Sequence, residues 1–264
     1  MSERIGQVIP GRRLGLVLGG DPIAHGAIDL DLYVADATVV VPPTIKLPAS
    51  AAGYQWGLLG NDLWGDCVEA AILHCQEVFG LKRGSIPVPW VTAIALSLYS
   101  AMSGFVESAG PSGENPTDQG TDPAAAMAGW VKGDVKGHPI VGFGTLAPTS
   151  PNIRRAIYEF GGVIYAVALP TTAQAQSQGS IHWRAVEGMV PGSWGGHGIN
   201  GWGYTPTLLN FGSWGEDGDM EDPFAAACLE AVYVPLSRDT LTSAGVGPGG
   251  FNFAQMLADL PGLH

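Results

Sequence analysis

The sequence carries little charge, and positive charge is the scarcer kind. Of its 264 residues, Lys and Arg together number 12 against 24 Asp and Glu, which gives a formal net charge of −12 and a charged fraction of only 14%. A typical soluble domain has roughly 25% charged residues. Proteins that bind nucleic acid neutralise phosphates with clustered Lys and Arg, so we expect no nucleic-acid partner. The sparse charge also favours a surface partly covered by other subunits.

Cysteines are few as well. The three are Cys67, Cys75 and Cys228, an odd number without a CxxC pair, which argues against a disulfide framework and predicts reduced thiols. No signal peptide is predicted, because the apolar stretch after Arg12-Arg13-Leu14 breaks at Gly19-Gly20-Asp21-Pro22 and is too short. No membrane span is predicted either, because the uncharged stretch 85–106 contains two prolines and has the apolar spacing of a buried helix. Phosphate-binding, dinucleotide and metal-ligand patterns are missing too, so we expect no cofactor.

Glycine and proline, by contrast, are abundant. The chain has 39 Gly and 20 Pro, spread without a fixed period, and 46% apolar residues. The apolar fraction excludes a disordered chain, and the glycines and prolines favour a loop-rich fold. The length is compatible with one or two domains and allows a large core.

Predicted helices precede predicted strands, which is typical of an α+β fold. Residues 1–50 lack helical periodicity, so we expect an extended N-terminal arm that packs against the body or a neighbouring subunit and is not an inhibitory helix. A globular body is predicted over 51–240, and a Gly-rich linker with one short helix near 253–260 over 241–264. Within the body, helices are predicted at 67–79, from 89, from 123 and at 152–160, and strands at 140–143, 163–169, 183–189, 198–204, 208–211 and 231–235.

Cys67 is predicted at the first turn of a helix, where backbone N–H groups and the helix dipole favour a thiolate. Asp66 and Glu69 form a capping-box pattern at the same place. His197 has glycine on both sides and follows Cys67 by 130 residues, a separation found in papain-like thiol hydrolases. Asn61, six residues before Cys67, is placed to donate its amide to an oxyanion beside the Cys67 N–H.

Several short motifs, in this order along the chain, resemble those of papain-like cysteine peptidases. They are Gly60-Asn61-Asp62-Leu63-Trp64-Gly65-Asp66-Cys67, Asp118-Gln119-Gly120-Thr121-Asp122, Gly195-Gly196-His197-Gly198 with Gly201-Trp202-Gly203-Tyr204, and Ser213-Trp214-Gly215. The resemblance covers about 57–237 and is greatest to an uncharacterised papain-like group of bacteriophage and prophage genomes. It implies an N-terminal helical half and a C-terminal antiparallel β-barrel half, with a cleft between them.

The resemblance also implies a function. It indicates a phage-type papain-like cysteine hydrolase that cleaves a peptide or isopeptide bond in a peptide or protein substrate. Cys67 would attack, His197 would relay the proton, and Asn61 would stabilise the oxyanion. Such a protein would act in the virion or in the host cytoplasm.

The residue that orients the histidine departs from the family pattern. The expected position, two residues before Trp214, is Gly212, and the neighbouring substitutes Asn210 and Ser213 are out of register. Alternation along a strand places Gly212 on the Trp214 face and Ser213 on the other. Without an orienting residue the imidazole tautomer is less fixed, so weak activity is expected.

A second function therefore stays open. A virion structural or assembly protein, associated with capsid or tail, could keep the same fold with little or no turnover. Its partners would be phage structural proteins or further copies of this chain. Under either hypothesis, His74, Cys75 and Cys228 are expected to be packed core residues, and the acidic stretch 217–222 a solvated turn.

Overall fold

The computed structural model describes residues 12–31, 39–133 and 135–241, together with residues 246, 247, 252 and 255. The first residues of the N-terminal arm, most of the Gly-rich linker and all but one residue of the helix predicted near 253–260 lie outside the described residues. Within them, helices and strands form an α+β fold, in which three α-helices lie between the first and second strands and three more lie between later strands.

The helices of the described part are α1 (Cys67–Lys82), α2 (Thr92–Ser103), α3 (Pro123–Lys132), α4 (Ser150–Phe160), α5 (Ala173–Gln176) and α6 (Asp222–Cys228). The helix predicted from residue 123 is confirmed: Asp122 caps α3 by accepting the Ala124 N–H at 2.8 Å, and Pro123 occupies the first turn. No helix among the described residues is long and apolar enough to cross a membrane.

The central helix, α1, is buried from Cys67 to Leu81. It continues past Gly80, where the sequence predicted a stop, because packing on all sides outweighs the weak helix preference of one glycine. The predicted capping box is not formed. Asp66 makes no side-chain cap, and Glu69 instead accepts a hydrogen bond from the Thr121 hydroxyl at 2.8 Å.

The strands are β1 (Ile28–Asp29), β2 (Ile140–Leu146), β3 (Val163–Leu169), β4 (Ile181–Trp183), β5 (Gly195–Tyr204), β6 (Leu208–Ser213), β7 (Glu216–Glu221) and β8 (Leu229–Ser237). They form one sheet in the order β1-β2-β8-β3-β5-β6-β7-β4, in which β1 pairs with β2 and β4 with β7 in parallel. The closed antiparallel barrel implied by the resemblance is not formed. Closure requires the edge strands to pair, but β1 and β4 are only two and three residues long and end the sheet on opposite sides.

The two faces of the sheet bury two separate cores. All seven residues of β3 are buried, and they alternate between the cores as expected for a strand covered on both faces. One core lies against α1, α2 and α3 and takes Ile164 and Ala166; the other lies against α4 and α6 and takes Val163, Tyr165, Val167 and Leu169.

The acidic stretch near the end of the sheet is regular structure, in contrast to the solvated turn that the sequence predicted. β7 turns Gly218 and Met220 inward. The acidic side chains alternate with them, and Asp219 lies 2.9 Å from the Nδ1 of His182 and forms an ion pair with Arg184 at 2.6 Å. The density of acidic residues in this stretch favoured a turn and made the alternation typical of a strand hard to recognise in the sequence. The strand predicted at 183–189 is wrong except for its first residue, since β4 spans Ile181–Trp183.

Candidate active site

Cys67 begins α1 and is 1% exposed. Its Sγ accepts the backbone N–H of Gly198 at 3.3 Å, and the backbone N–H of Gly15 also faces it. The helix approaches β5 this closely because residue 198 has no side chain: a Cβ there would lie 3.1 Å from the Cα of Val68. The thiol is thereby held against the strand that carries His197.

His197 immediately precedes Gly198 on β5 and is fully buried. Its Nε2 lies 2.7 Å from the Oγ of Ser213, and its ring stacks on the indole of Trp214 with centroids 4.0 Å apart and planes 13° apart. Nδ1 makes no hydrogen bond to a described residue. A serine hydroxyl can accept from Nε2–H, which leaves Nδ1 as the basic nitrogen.

The structure brings Ser213 to the imidazole, although strand alternation had placed its side chain elsewhere. β6 ends at Ser213, and the next two residues, Trp214 and Gly215, form the turn to β7 with φ values of +48° and +76°. Both residues leave the pleat in such a turn. The alternation of a strand therefore does not place Ser213 and Trp214 on opposite faces, and both side chains contact the imidazole of His197.

The other two positions considered for this role do not reach the ring. Asn210 pairs across the sheet with Gly203, which lies six residues beyond His197 on β5. A Cβ on Gly212 would lie 2.7 Å from the Oδ1 of Asn200, so a side chain there would be directed at Asn200. An asparagine at position 212 is consequently not placed to hold the imidazole.

Asn61 lies in the loop before Cys67 and is 2% exposed. Its Nδ2 donates to the carbonyl oxygens of Trp64 and Arg13, both at 3.2 Å. The Trp64 contact shapes the loop that leads into α1. The Arg13 contact means that the amide already holds a peptide carbonyl oxygen that comes from a distant part of the sequence.

That distant part is an extended stretch of the N-terminal arm, residues 12–18, here named the cleft segment. Its Leu16 N–H donates to the Gly196 carbonyl at 3.1 Å, on the strand that carries His197. On the other side, the Thr121 N–H donates to the Gly15 carbonyl at 2.7 Å and the Val17 N–H to the Thr121 carbonyl at 3.0 Å. The cleft segment is thus paired through its backbone with both walls of the site.

Glycines make room for the cleft segment. A Cβ on Gly15 would lie 1.8 Å from the Gly65 carbonyl oxygen, and one on Gly120 would lie 2.0 Å from the Gly15 carbonyl oxygen. On the opposite wall, a Cβ on Gly196 would lie 2.3 Å from the Leu16 carbonyl oxygen. Atoms in a packed interior do not approach so closely, so the segment fits because these positions lack side chains.

Two arginines anchor the start of the cleft segment. The Arg12 guanidinium lies 4.9 Å from the Trp214 ring centroid and 3.0 Å from Glu216. Arg13 forms a buried ion pair with Asp118 at 3.0 Å. Neither arginine was predicted from the sequence to belong to the site. The available signal was two adjacent arginines in a chain with only 12 Lys and Arg.

Burial controls the ionisation of the thiol and the imidazole. It raises the pKa of Cys67 to about 12, with the carboxylates of Glu69 and Asp66 acting in the same direction. Burial lowers the pKa of His197 to about 3, and the positive charge of Arg12 adds to that effect. In this state the pair is therefore a neutral thiol and a neutral imidazole at pH 7.

The remaining candidate residues are packed. The Nε2 of His74 lies 2.9 Å from the Gly57 carbonyl oxygen, and its ring meets the Trp56 indole edge-on. Cys75 and Cys228 are buried free thiols. Among the residues that the structure describes, no group of three or more His, Cys, Asp or Glu side chains is arranged to hold a metal ion.

Solved structures similar to this chain are cysteine proteases. Xylellain, a cysteine protease from Xylella fastidiosa, superposes with a TM-score of 0.62 at 14% identity, over 89% of this chain and 98% of that one. Procathepsin L 3 from the larval midgut of Tenebrio molitor gives 0.56 at 12% identity over 80% and 75%. The ragweed pollen cysteine protease Amb a 11 in its proform gives 0.53 at 12% identity over 81% and 71%.

The chain has a papain-like fold. The likeness lies in the structure: no known family profile matches the sequence, and no curated protein sequence matches it significantly. None of these comparisons supports the phage assignment or the virion structural alternative that the sequence suggested.

The buried carboxyl of Glu69 generates a prediction about pH and stability. Burial raises its pKa from the ordinary 4.5 to about 7, while the Thr121 hydrogen bond opposes the shift. Because the folded chain holds this proton more tightly, the carboxyl's contribution to stability is present below pH 4.5 and is lost as the pH rises through about 7. We expect Glu69→Gln, which keeps an acceptor for Thr121, to be more stable than wild type at pH 8 by on the order of a few kcal/mol.

Chemical denaturation between pH 4 and pH 8 measures this difference. The gain should be near zero at the acid end and grow as the pH rises to neutrality. The exposed Glu187→Gln serves as the matched control and should leave the profile unchanged. A gain that is the same at every pH would contradict the assignment of the shift to this carboxyl.

The hydrogen bond between Ser213 and His197 generates a second prediction. In wild type we expect the Nε2–H tautomer, with Ser213 as acceptor, to dominate at pH 7. Ser213→Ala removes that acceptor, so the ring should become a mixture of tautomers. Imidazole ¹⁵N NMR shifts report the tautomer directly. Asn210→Ala is the control, and equal shifts in both variants would show that Ser213 does not orient the ring.

Proposed function

We propose that the chain is a papain-like cysteine hydrolase that cleaves peptide or isopeptide bonds, with a body over 51–240 and the N-terminal arm as a covering element. The observation that carries the proposal is the thiol at the start of α1, hydrogen-bonded to the backbone next to a histidine whose Nδ1 is unpaired among the described residues. A thiol at a helix N-terminus and a base oriented by a third group are the parts of nucleophilic catalysis.

Each residue has a role in the reaction. His197 takes the Cys67 proton on Nδ1 while Ser213 holds Nε2, and the thiolate attacks the carbonyl carbon of the substrate. The oxyanion is stabilised by the Asn61 amide and the N–H groups at the start of α1. The imidazolium then protonates the departing amine. Water, deprotonated by His197, hydrolyses the remaining thioester and restores the thiol.

In this proposal the cleft segment keeps the enzyme latent. The segment places the N–H of Gly15, and not a carbonyl carbon, against the sulfur. The thiol therefore cannot cleave the segment that covers it. The segment also keeps water from the pair, which holds both groups neutral. Two of the similar structures are themselves named as precursor forms, a procathepsin and a protease in its proform, which supports this interpretation.

Ser213 bears on the rival hypothesis of a fold without turnover. That hypothesis rested on the absence of an orienting residue, on the low charge, and on the extended arm and the Gly-rich tail. Ser213, 2.7 Å from the ring nitrogen, argues against the first of these grounds. We therefore propose that Ser213 orients His197 in place of the family's asparagine, although a hydroxyl forms fewer hydrogen bonds than an amide. No observation in the described residues favours a virion structural role.

The test displaces the cleft segment in the full-length chain. Gly15→Val introduces a side chain where a single Cβ already has no space, without removing a charge. At pH 7 a thiol with a pKa near 12 is about 10⁻⁵ ionised, against roughly 3% at an unperturbed pKa near 8.5. We therefore expect iodoacetamide to label Cys67 at least about a hundredfold faster in Gly15→Val, and the variant to cleave an unselective peptide library.

The controls lie within the same chain. Cys75 and Cys228 report general unfolding and should label at their wild-type rates. Val17→Ala alters an exposed side chain of the same segment and should not activate. Cys67→Ala and His197→Ala, each added to Gly15→Val, should abolish turnover. Rapid labelling of Cys67 without turnover, unaffected by His197→Ala, would exclude a hydrolase.

A further inference from the structure

The ion pair between Arg13 and Asp118 is more deeply buried than the other ion pair of the cleft segment, which Arg12 forms with Glu216. The Nη2 of Arg13 lies 3.0 Å from the Oδ2 of Asp118, and the two side chains are 4% and 1% exposed. Removing two charges from water costs several kcal/mol per ion unless a partner offsets it. The carboxylate therefore requires a cation at this position.

Asp118 is fixed by contacts that do not involve Arg13. Its other oxygen, Oδ1, accepts the backbone N–H of Gly65 at 2.8 Å and the hydroxyl of Tyr99 at 2.9 Å. The Tyr99 hydroxyl in turn accepts the Gly120 N–H at 2.8 Å. The loop before α1 and the loop before α3 thus hold the carboxylate in place, with Oδ2 left for whatever occupies the cleft.

The pocket adjoins the reacting thiol. Gly65, which binds Asp118, stands two residues before Cys67. The carbonyl oxygen of Arg13 accepts hydrogen bonds from the Asn61 amide at 3.2 Å and from the Trp214 indole N–H at 3.1 Å. A residue whose main chain lies at the catalytic groups can therefore place a long cationic side chain on Asp118.

We propose that Asp118 forms a guanidinium-binding subsite of the catalytic cleft, that Arg13 is its internal occupant, and that substrates carry an arginine next to the bond that is cleaved. The inference rests on the proposed function for its substrate class. Arginine is favoured over lysine because its guanidinium is more weakly hydrated and suits a buried carboxylate.

The experiment empties the subsite in the full-length chain and refills it with a defined probe. Arg13→Ala leaves Asp118 without its cation, and N-acetylarginine N-methylamide supplies a guanidinium on a peptide-like backbone. We expect the probe to raise the Tm of Arg13→Ala in a saturable manner and to leave wild type unchanged, because Arg13 already fills the subsite. The shorter, apolar probe N-acetylnorleucine N-methylamide should produce no saturable shift, and the lysine analogue a weaker one.

Asp118→Asn is the decisive second variant, because an amide keeps an acceptor for Gly65 and Tyr99 but loses the charge. Added to Arg13→Ala, it should weaken probe binding by about tenfold or more. If Arg13→Ala does not fold, Gly15→Val displaces the same segment. Binding of the arginine probe by Gly15→Val is then compared with its binding by Gly15→Val plus Asp118→Asn, and the second variant should again bind more weakly. Binding of the norleucine probe equal to the arginine probe, or binding unaffected by Asp118→Asn, would overturn the proposal.

Failure of the subsite and failure of the proposed function are separable in this design, since Tm shifts require no turnover. Probe binding without hydrolysis by Gly15→Val would leave the subsite intact and exclude the enzyme. Hydrolysis by Gly15→Val that is indifferent to arginine in the peptide library would leave the enzyme and exclude the subsite. Arginine next to the cleaved bonds, lost on Asp118→Asn, is the result expected.

Discussion

The packing of the first turn of α1 against β5 is the contact on which the rest of the site depends. A side chain at Gly198 would meet Val68 at 3.1 Å, so the two elements approach as closely as backbone allows. This approach joins the helical core to the sheet and places the Cys67 sulfur 3.3 Å from the Gly198 nitrogen. A larger residue at position 198 would separate the thiol from the histidine strand without altering the side chain of Cys67 or of His197.

The same use of glycine shapes the slot occupied by the cleft segment. Its walls offer the segment backbone groups, with hydrogen bonds from Thr121 on one side and to Gly196 on the other. Backbone pairing of this kind selects for an extended chain and not for a sequence. Under the proposed subsite, selection by side chain would fall to the buried carboxylate of Asp118, which the segment reaches through Arg13.

The features predicted from sequence were those with local signals. The cap and proline at the start of α3 and the apolar run of β3 depend on neighbouring residues, and both elements formed where they were predicted. The spacing of Cys67 and His197, together with short motifs, likewise indicated a papain-like fold that the similar structures support. Local patterns of this kind identify elements and their order.

The features that were missed depend on geometry between distant residues. Ser213 reaches His197 because Trp214 adopts a φ of +48° in a two-residue turn, and strand alternation cannot anticipate that dihedral. β7 was hidden by its acidic residues. The place of the cleft segment could not be predicted either, because backbone pairing with Thr121 and Gly196 leaves no side-chain pattern in the sequence beyond glycines that have many other uses.

Burial by the cleft segment shifts the pKa values of the thiol and of the imidazole in opposite directions. The position of this segment and the ionisation of the two groups are therefore linked. The pKa of Cys67 rises and that of His197 falls, since each loses the water that would solvate its charged form. Helix N–H groups favour a thiolate, yet Asp66 and Glu69 lie close enough to oppose it. Under the proposed function, displacing the segment would change the pKa of both groups at once, because water would return to the pair and the Arg12 charge would leave the imidazole. The residues that keep the thiol and the imidazole neutral would then be the same residues that exclude the substrate, so steric and electrostatic control of the proposed site would be one event.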